Sequence, residues 1–364
     1  MSKPRRIFTD YEMRDGFRYY QERFSQGIKS NVAFIGGSVT TQTWRVLTGQ
    51  FISQMFPQTE FKFINAGIGG TDANLGAFRF PDHVFGQGQV DLLFLEFAVN
   101  GGGIRAMEGI IRQAKRLNPK IDICMLYLAD ISKMDDVNEG KTPEIVKTHQ
   151  IVADYYHLPS LFFYREITNR INDGDFTWEQ FSRDSVHPTE FGNEVYADCV
   201  ADFLKEAIKG SSANPDPGDL PPPIDPFCYE RGRFIPLEEV KGVKGWERIP
   251  QWTTDKTCNF APPADVLSAE KPDATLELSF YGTAIGIYTL VGMDTGIIEY
   301  SIDGAEFKTK DQFDYYCPMF HRPQHTIFAD ELPMGQHKII LRTGSQKNEK
   351  SLGYSTRILK FMAN

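Results

Sequence analysis

Strand-like and helix-like patterns alternate five times through residues 31–209, and that alternation decides the fold class. Strand patterns lie at 31–36, 61–66, 90–99, 121–128 and 161–164; Val32 to Ile35 is uninterrupted apolar sequence and 90–99 is almost wholly so. Runs without polar alternation are how strands covered on both faces read. Between them lie stretches with apolar residues at helical spacing. Residues 42–55 place Val46, Leu47, Phe51, Ile52 and Met55 on one side; residues 104–117 do the same with Ile104, Met107, Ile110, Ile111, Ala114 and Leu117. Further helices are expected after residue 71, with Leu75, Phe78 and Phe80, then over 143–156 and 189–209. Strands alternating with helices make an α/β fold: here a parallel five-stranded sheet, helices on both faces and right-handed crossovers. Residues 1–30 carry Phe17, Tyr20 and Phe24 at mixed helical spacing and predict a lead-in helical segment.

After residue 209 the composition shifts, and 364 residues leave room for a second domain. Residues 210–226 contain six prolines and predict a semi-rigid, extended linker. Beyond it, strand patterns at 275–281, 285–291, 297–302, 326–328, 338–342 and 357–361 predict an all-β sandwich, jelly-roll-like, over 227–364. Asp303-Gly304 marks a hairpin between 297–302 and 305–309. The first domain is expected to span 1–209.

Hydrophobic residues at 41% and charged residues at 24% allow a sizeable core. A net charge of -9 leaves no basic face to replace phosphate counterions, so no nucleic-acid partner is expected. No membrane partner is expected either, because the most apolar run, 92–99, is short and carries Glu96. Residues 1–6 are basic, but no apolar signal core follows. As the sequence is given, a cytoplasmic protein is expected; if it is trimmed, a secreted or periplasmic one. The five cysteines (Cys124, Cys199, Cys228, Cys258 and Cys317) are odd in number and widely spaced. They form neither a zinc set nor a disulfide framework, with a Cys228–Cys258 bridge left as the one exception. His321 and His325 stand four apart but flank Pro323, which rules out a shared helix; no metal and no cofactor are expected.

Chemistry-bearing residues gather at the strand ends. Asn31 to Ile35 runs into Gly36-Gly37-Ser38, and a serine just past a buried strand sits at the carboxyl edge of the sheet, where open α/β folds bind ligands. Gly70 follows the second strand, Asn100 the third, and Asp184-Ser185-Val186-His187 precedes the last helix. Parallel strands bring the first three to one edge. A serine hydroxyl needs a base to take its proton, and an imidazole performs that task near neutral pH. Asp184, three residues before His187, is placed to accept from one ring nitrogen while the other faces Ser38. The backbone amides of Ser38 and Gly70 and the Asn100 side chain are candidate donors to an oxyanion. Each feature has a plainer alternative: Ser38 and Asp184 as helix caps, Asn100 as a turn residue. Gly67-x-Gly69-Gly70 does not make a dinucleotide fingerprint, since Asp72 stands in place of the third glycine and the motif is not at the first strand.

Together, Gly36-Gly37-Ser38-Val39, Gly70, Asn100 and Asp184-x-x-His187 resemble the four blocks of the SGNH (GDSL) hydrolase family over residues 30–205. The resemblance implies a flavodoxin-like three-layer α/β/α fold and ester hydrolysis through an acyl-enzyme. Ser38 is then the nucleophile, His187 the base, Asp184 the orienting acid, and Ser38, Gly70 and Asn100 the oxyanion donors. The rival α/β-hydrolase pattern fits poorly, because residues 36–40 lack its second glycine and acid and base stand only three apart. Two departures stand out: Gly37 replaces the aspartate usual before the serine, and Gly101 replaces the aspartate that usually follows the asparagine and helps hold its loop. Thr40, Arg79 and Glu96 are candidates for lining a substrate pocket, with a structural Glu96–Arg79 pair as the alternative.

The function expected is removal of small acyl groups, acetyl foremost, from a carbohydrate, so that the partner is a small acyl ester or an acetylated carbohydrate. Trp246, Trp252, Tyr315 and Tyr316 are candidate sugar-stacking residues in the second domain, with core packing as the alternative. A lipid- or thioester-directed acyl hydrolase is a second possibility, and a glycan-binding protein with a vestigial triad a third. The sequence gives no oligomeric state.

Overall fold

A mixed sheet organises the first part of the chain in this computed structural model, which describes residues 5–209, 218–258 and 264–364. Its strands are β1 (Tyr11–Glu12), β2 (Ser30–Gly36), β3 (Phe61–Gly67), β4 (Leu92–Leu95), β5 (Asp122–Leu126) and β6 (Ser160–Leu161). They lie in the order β3-β2-β4-β5-β6-β1; the five-stranded body is parallel and β1 pairs antiparallel with β6 at the edge. In parallel-strand order this is 2-1-3-4-5, the flavodoxin-like arrangement, whose switch point falls between β2 and β4. Phe34 and Phe94 stack across that switch point with ring centroids 4.9 Å apart, both buried.

The helices are α1 (Tyr20–Ser25), α2 (Trp44–Met55), α3 (Ala73–Phe80), α4 (Ile104–Leu117), α5 (Ile131–Asn138), α6 (Glu144–Tyr155), α7 (Phe163–Asn172), α8 (Trp178–Phe181) and α9 (Glu190–Lys209). α2 packs on α9, while α3 and α6 both pack on α4. The predicted lead-in helix shrinks to α1, and residues 11–12 instead form the edge strand β1. The third strand stops at Leu95, well short of Val99, because the chain turns there: the Asn100 N–H donates to Phe97 O at 3.1 Å. The fifth stops at Leu161, because Phe163, Tyr164 and Ile167 are core residues of α7 rather than strand residues.

The chain divides into two compact units, Met1–Glu230 and Arg231–Asn364. Of the predicted linker, residues 210–217 lie outside the described residues. Residues 218–230 are not an extended spacer but pack on α4: Glu108 accepts from the backbone N–H of Ile224 (2.6 Å) and Asp225 (2.9 Å), and Arg112 donates to Pro221 O (2.6 Å). Gly109 faces this segment, and a Cβ there would stand 2.7 Å from the Tyr229 backbone.

The second unit is a sandwich of two antiparallel sheets. Its strands are β7 (Arg233–Ile235), β8 (Lys241–Lys244), β9 (Glu247–Trp252), β10 (Ala264–Ala269), β11 (Thr275–Gly282), β12 (Ile285–Val291), β13 (Ile297–Ile302), β14 (Lys308–Asp311), β15 (Arg322–Ala329), β16 (Gly335–Thr343) and β17 (Thr356–Ala363). One sheet runs β15-β12-β17-β10-β9 with β7 also on β17, and the other runs β14-β13-β16-β11-β8. Leu276, Leu278, Ile339 and Leu341 from one sheet meet Ile285, Ile287, Ile358 and Phe361 from the other in one buried cluster. Asp303 and Gly304 both have positive φ (53° and 79°), and the Ala305 N–H donates to Ile302 O at 3.0 Å, the turn type that matches strand twist. Trp246 is buried, and the Trp252 ring is covered by the Arg357 guanidinium (4.8 Å) and His321 (5.2 Å). These two indoles are therefore packing residues, whereas Tyr315 is 82% and Tyr316 49% exposed. All five cysteines are free, so the Cys228–Cys258 bridge does not form.

Candidate active site

Ser38 begins a tight turn of 3-10 helix over Val39–Thr41, and its hydroxyl makes no capping bond. The oxygen lies 2.8 Å from His187 Nε2 instead, so the capping alternative for Ser38 does not hold. The turn is anchored through its carbonyls. Ser38 O accepts from the Thr41 N–H (3.1 Å) and hydroxyl (2.6 Å), and the buried Trp44 donates from Nε1 to Val39 O (2.7 Å).

His187 Nδ1 lies 2.8 Å from Asp184 Oδ2. A carboxylate only accepts, so Nδ1 carries the hydrogen and Nε2 is left to accept from the Ser38 hydroxyl. Asp184 Oδ1 accepts the backbone N–H of Val186 (2.8 Å) and of His187 (2.7 Å), so the side chain folds its own turn rather than capping a helix. Burial pushes the Asp184 carboxyl up, but the N–H groups of His187 and Val186 and the His187 ring outweigh it. The net effect holds it below the ordinary carboxylate range and keeps it ionised. Two residues outside the sequence-derived set fix this turn. Trp178 Nε1 donates to Asp184 O at 2.8 Å, and the buried Ser182 hydroxyl lies 3.0 Å from Asp184 O and 2.8 Å from His187 O. Ser182 goes unmarked in the sequence; a small polar residue two places before the acid is the one signal that could have found it.

Gly70 closes the turn after β3 with φ 71°. The backbone N–H groups of Ser38 and Gly70 and the Asn100 Nδ2 donate to no acceptor among the described residues. Asn100 Oδ1, by contrast, is buried without a hydrogen-bond partner. It abuts Gly37 so closely that a Cβ at residue 37 would stand 1.8 Å from it. Glycine at 37 is thus what lets Asn100 lie beside the serine turn.

Thr40, Arg79 and Glu96 do not line a pocket. All three are buried, with exposures of 1%, 0% and 1%, and they form the support beneath the turns. Arg79 donates to Ala66 O (2.5 Å) and Gly36 O (3.0 Å), tying the ends of β3 and β2 together. Glu96 accepts from the Val99 N–H (3.1 Å), the Thr40 hydroxyl (3.4 Å) and the Gly37 N–H. The hydrogen bonds of Glu96 and Arg79 therefore go to the surrounding turns rather than to each other.

Burial pushes the Glu96 carboxyl up from 4.5 to about 6. The folded protein then holds this proton more tightly than the unfolded chain does. The stability it contributes is complete below pH 4.5 and is lost as pH rises through about 6. Glu96→Gln, uncharged at every pH, is expected to remove that part of the fall, seen as a smaller drop in thermal midpoint between pH 4.5 and 6 by calorimetry.

Among the described residues no three His, Cys, Asp or Glu side chains cluster as a metal site, and no helix is long and apolar enough to cross a membrane.

No protein-family model matches the sequence, and no curated protein does. Among solved structures the chain is similar to CEX, a two-domain esterase active on acetylated mannans. In the structure co-crystallised with mannopentaose the TM-score is 0.77 at 19% identity, covering 98% of this chain and 98% of that one. In a second structure of that esterase the TM-score is again 0.77 at 19% identity, covering 97% and 98%. The likeness runs through both units: this chain shares the fold of that esterase, a flavodoxin-like α/β/α unit followed by a β-sandwich.

Proposed function

We propose that this protein is a serine esterase that removes acetyl groups from an acetylated polysaccharide. The observation that carries the reading is the relay of 2.8 Å contacts from Asp184 through His187 to Ser38. In the reaction Ser38 Oγ bonds to the ester carbonyl carbon while its proton passes to His187 Nε2. The carbonyl electrons move onto oxygen, where the Ser38 and Gly70 amides and Asn100 Nδ2 are free to donate. Collapse breaks the bond to the sugar oxygen, which leaves with the proton from His187. Water then attacks the acetyl-enzyme by the same route in reverse order, releasing acetate and restoring Ser38. Asp184 stays ionised and stabilises the imidazolium at each stage.

Support for a polymeric, carbohydrate substrate comes from access and from fold. The His187 side chain is 28% and the Asp184 side chain 48% exposed, so the relay lies at the surface, where an ester on a long chain reaches it. The two-domain fold is shared with an esterase active on acetylated mannans. Acetate release from acetylated mannans and xylans tests the substrate class directly. With p-nitrophenyl esters of rising acyl length, kcat/KM is expected to fall steeply beyond propionyl. Equal or rising rates on long acyl chains would replace this reading with a lipid-directed hydrolase.

A further inference from the structure

The loop that carries Asn100 is Asn100-Gly101-Gly102-Gly103, and it has almost no means of holding itself. Gly101 and Gly102 have φ of 97° and 110°, a region that glycine enters freely, and neither has a side chain to brace the turn. The aspartate that would follow the asparagine in the resembling family is Gly101 here. Its two ends are tied by backbone, the Asn100 and Gly101 N–H donating to Phe97 O (3.1 and 2.7 Å) and the Met107 N–H to Gly103 O (3.2 Å), and the middle is held from outside the loop. The Ala73 N–H at the start of α3 donates to Gly101 O at 3.0 Å, and His149 Nε2 on α6 lies 2.8 Å from Gly102 O. A carbonyl only accepts, so His149 carries its hydrogen on Nε2. His149 is 1% exposed, and burial pushes its imidazole down to about 4, with the Gly102 contact opposing and Lys133 adding to the fall. The ring is therefore neutral, and its donor is constant, wherever the esterase would work.

We infer that His149 is a positioning residue for the oxyanion donor: by fixing Gly102 O it holds the loop so that the Asn100 amide stays packed against Gly37, beside the Ser38 turn, with Nδ2 left to donate. This rests on the esterase reading of the Ser38 site. The alternative, a histidine that only fills α6's apolar face, is natural for a residue in register with Val146, Val152 and Ala153. The two differ in what they move. A packing role changes stability alone. A positioning role changes the transition state, and it does so only while Asn100 is present.

The test compares wild type, His149→Phe, His149→Gln, Asn100→Ala and the Asn100→Ala/His149→Phe double variant on p-nitrophenyl acetate. His149→Phe is expected to lower kcat about 10- to 100-fold with KM within about twofold, a fraction of what deleting an oxyanion donor does. His149→Gln, which keeps an N–H donor, should recover most of that loss. The double variant should match Asn100→Ala within about twofold, because His149 acts through Asn100. A His149→Phe kcat within about twofold of wild type, or losses that add in the double variant, would overturn the inference. If His149→Phe does not fold, His149→Met, which also lacks a donor, is subject to the same outcomes. Hydrogen exchange over residues 98–104 separates this inference from the esterase reading. Should wild type hydrolyse no acyl ester, the esterase reading falls. Faster exchange confined to that loop in His149→Phe would still show the brace, and unchanged exchange would remove it.

Discussion

Ser38→Ala is expected to lower kcat for acetyl-ester hydrolysis by about 10⁴- to 10⁶-fold, with substrate affinity and thermal midpoint close to wild type. The magnitude follows from losing the nucleophile while leaving the donors and the base in place. The folded state should tolerate the change, because the hydroxyl caps no helix and, among the described residues, its one hydrogen bond is to His187 Nε2. The turn itself hangs on the Ser38 carbonyl, which accepts from Thr41 and Gln42, and alanine keeps that carbonyl. Steady-state kinetics beside a melting curve separate loss of chemistry from loss of fold. A variant retaining a tenth of wild-type activity would mean that another group attacks the ester.

Gly37→Ala is expected to lower kcat by about 10²- to 10³-fold, as much as removing one oxyanion donor. Gly37 does not have a positive φ, so the backbone itself does not demand glycine. The constraint is the neighbour: a Cβ at this position would stand 1.8 Å from Asn100 Oδ1 and 2.8 Å from Cγ, so the amide must leave. Gly37→Asp, which restores the residue usual in the resembling family, is expected to do at least as much damage. Asn100→Ala should resemble Gly37→Ala in kcat, and combining them should add little, because both remove the same donor. If Gly37→Asp proved as active as wild type, Asn100 would not be an oxyanion donor in this protein. Steady-state kinetics on p-nitrophenyl acetate with wild type and the four variants decide it.

The meeting of Ser38, His187 and Asp184, with Asn100 beside Gly37, was legible because topology does most of the work. Once the strands are parallel, whatever follows β2, β3 and β4 must emerge at one edge, and a turn preceding α9 supplies the rest. Depth below that edge was not legible. Thr40, Arg79 and Glu96 are near the same strand ends in sequence, but whether a side chain points up to a ligand or down into the sheet depends on local turns. Glu96 points down because the backbone N–H groups of Gly37 and Val99 face it. The helix α7 was hidden because Phe163 and Tyr164 favour strands as well as cores, and tertiary packing chose the helix. Residues 218–230 read as linker because their partners, Glu108 and Arg112, lie far upstream on α4, and no local pattern announces such a contact. His149 offered one faint sign: a titratable ring on the apolar face of a helix, where burial without a hydrogen-bond partner is costly.

The most direct measurement is the site of covalent capture. Treating the protein with an alkyl fluorophosphonate, which phosphonylates an activated serine and mimics the tetrahedral intermediate, and mapping the product by peptide mass spectrometry locates the nucleophile. One adduct per chain is expected, on the peptide carrying Ser38, absent in Ser38→Ala and formed much more slowly in His187→Ala. An adduct on a different serine, or ester hydrolysis that continues while Ser38 stays unmodified, would contradict the assignment.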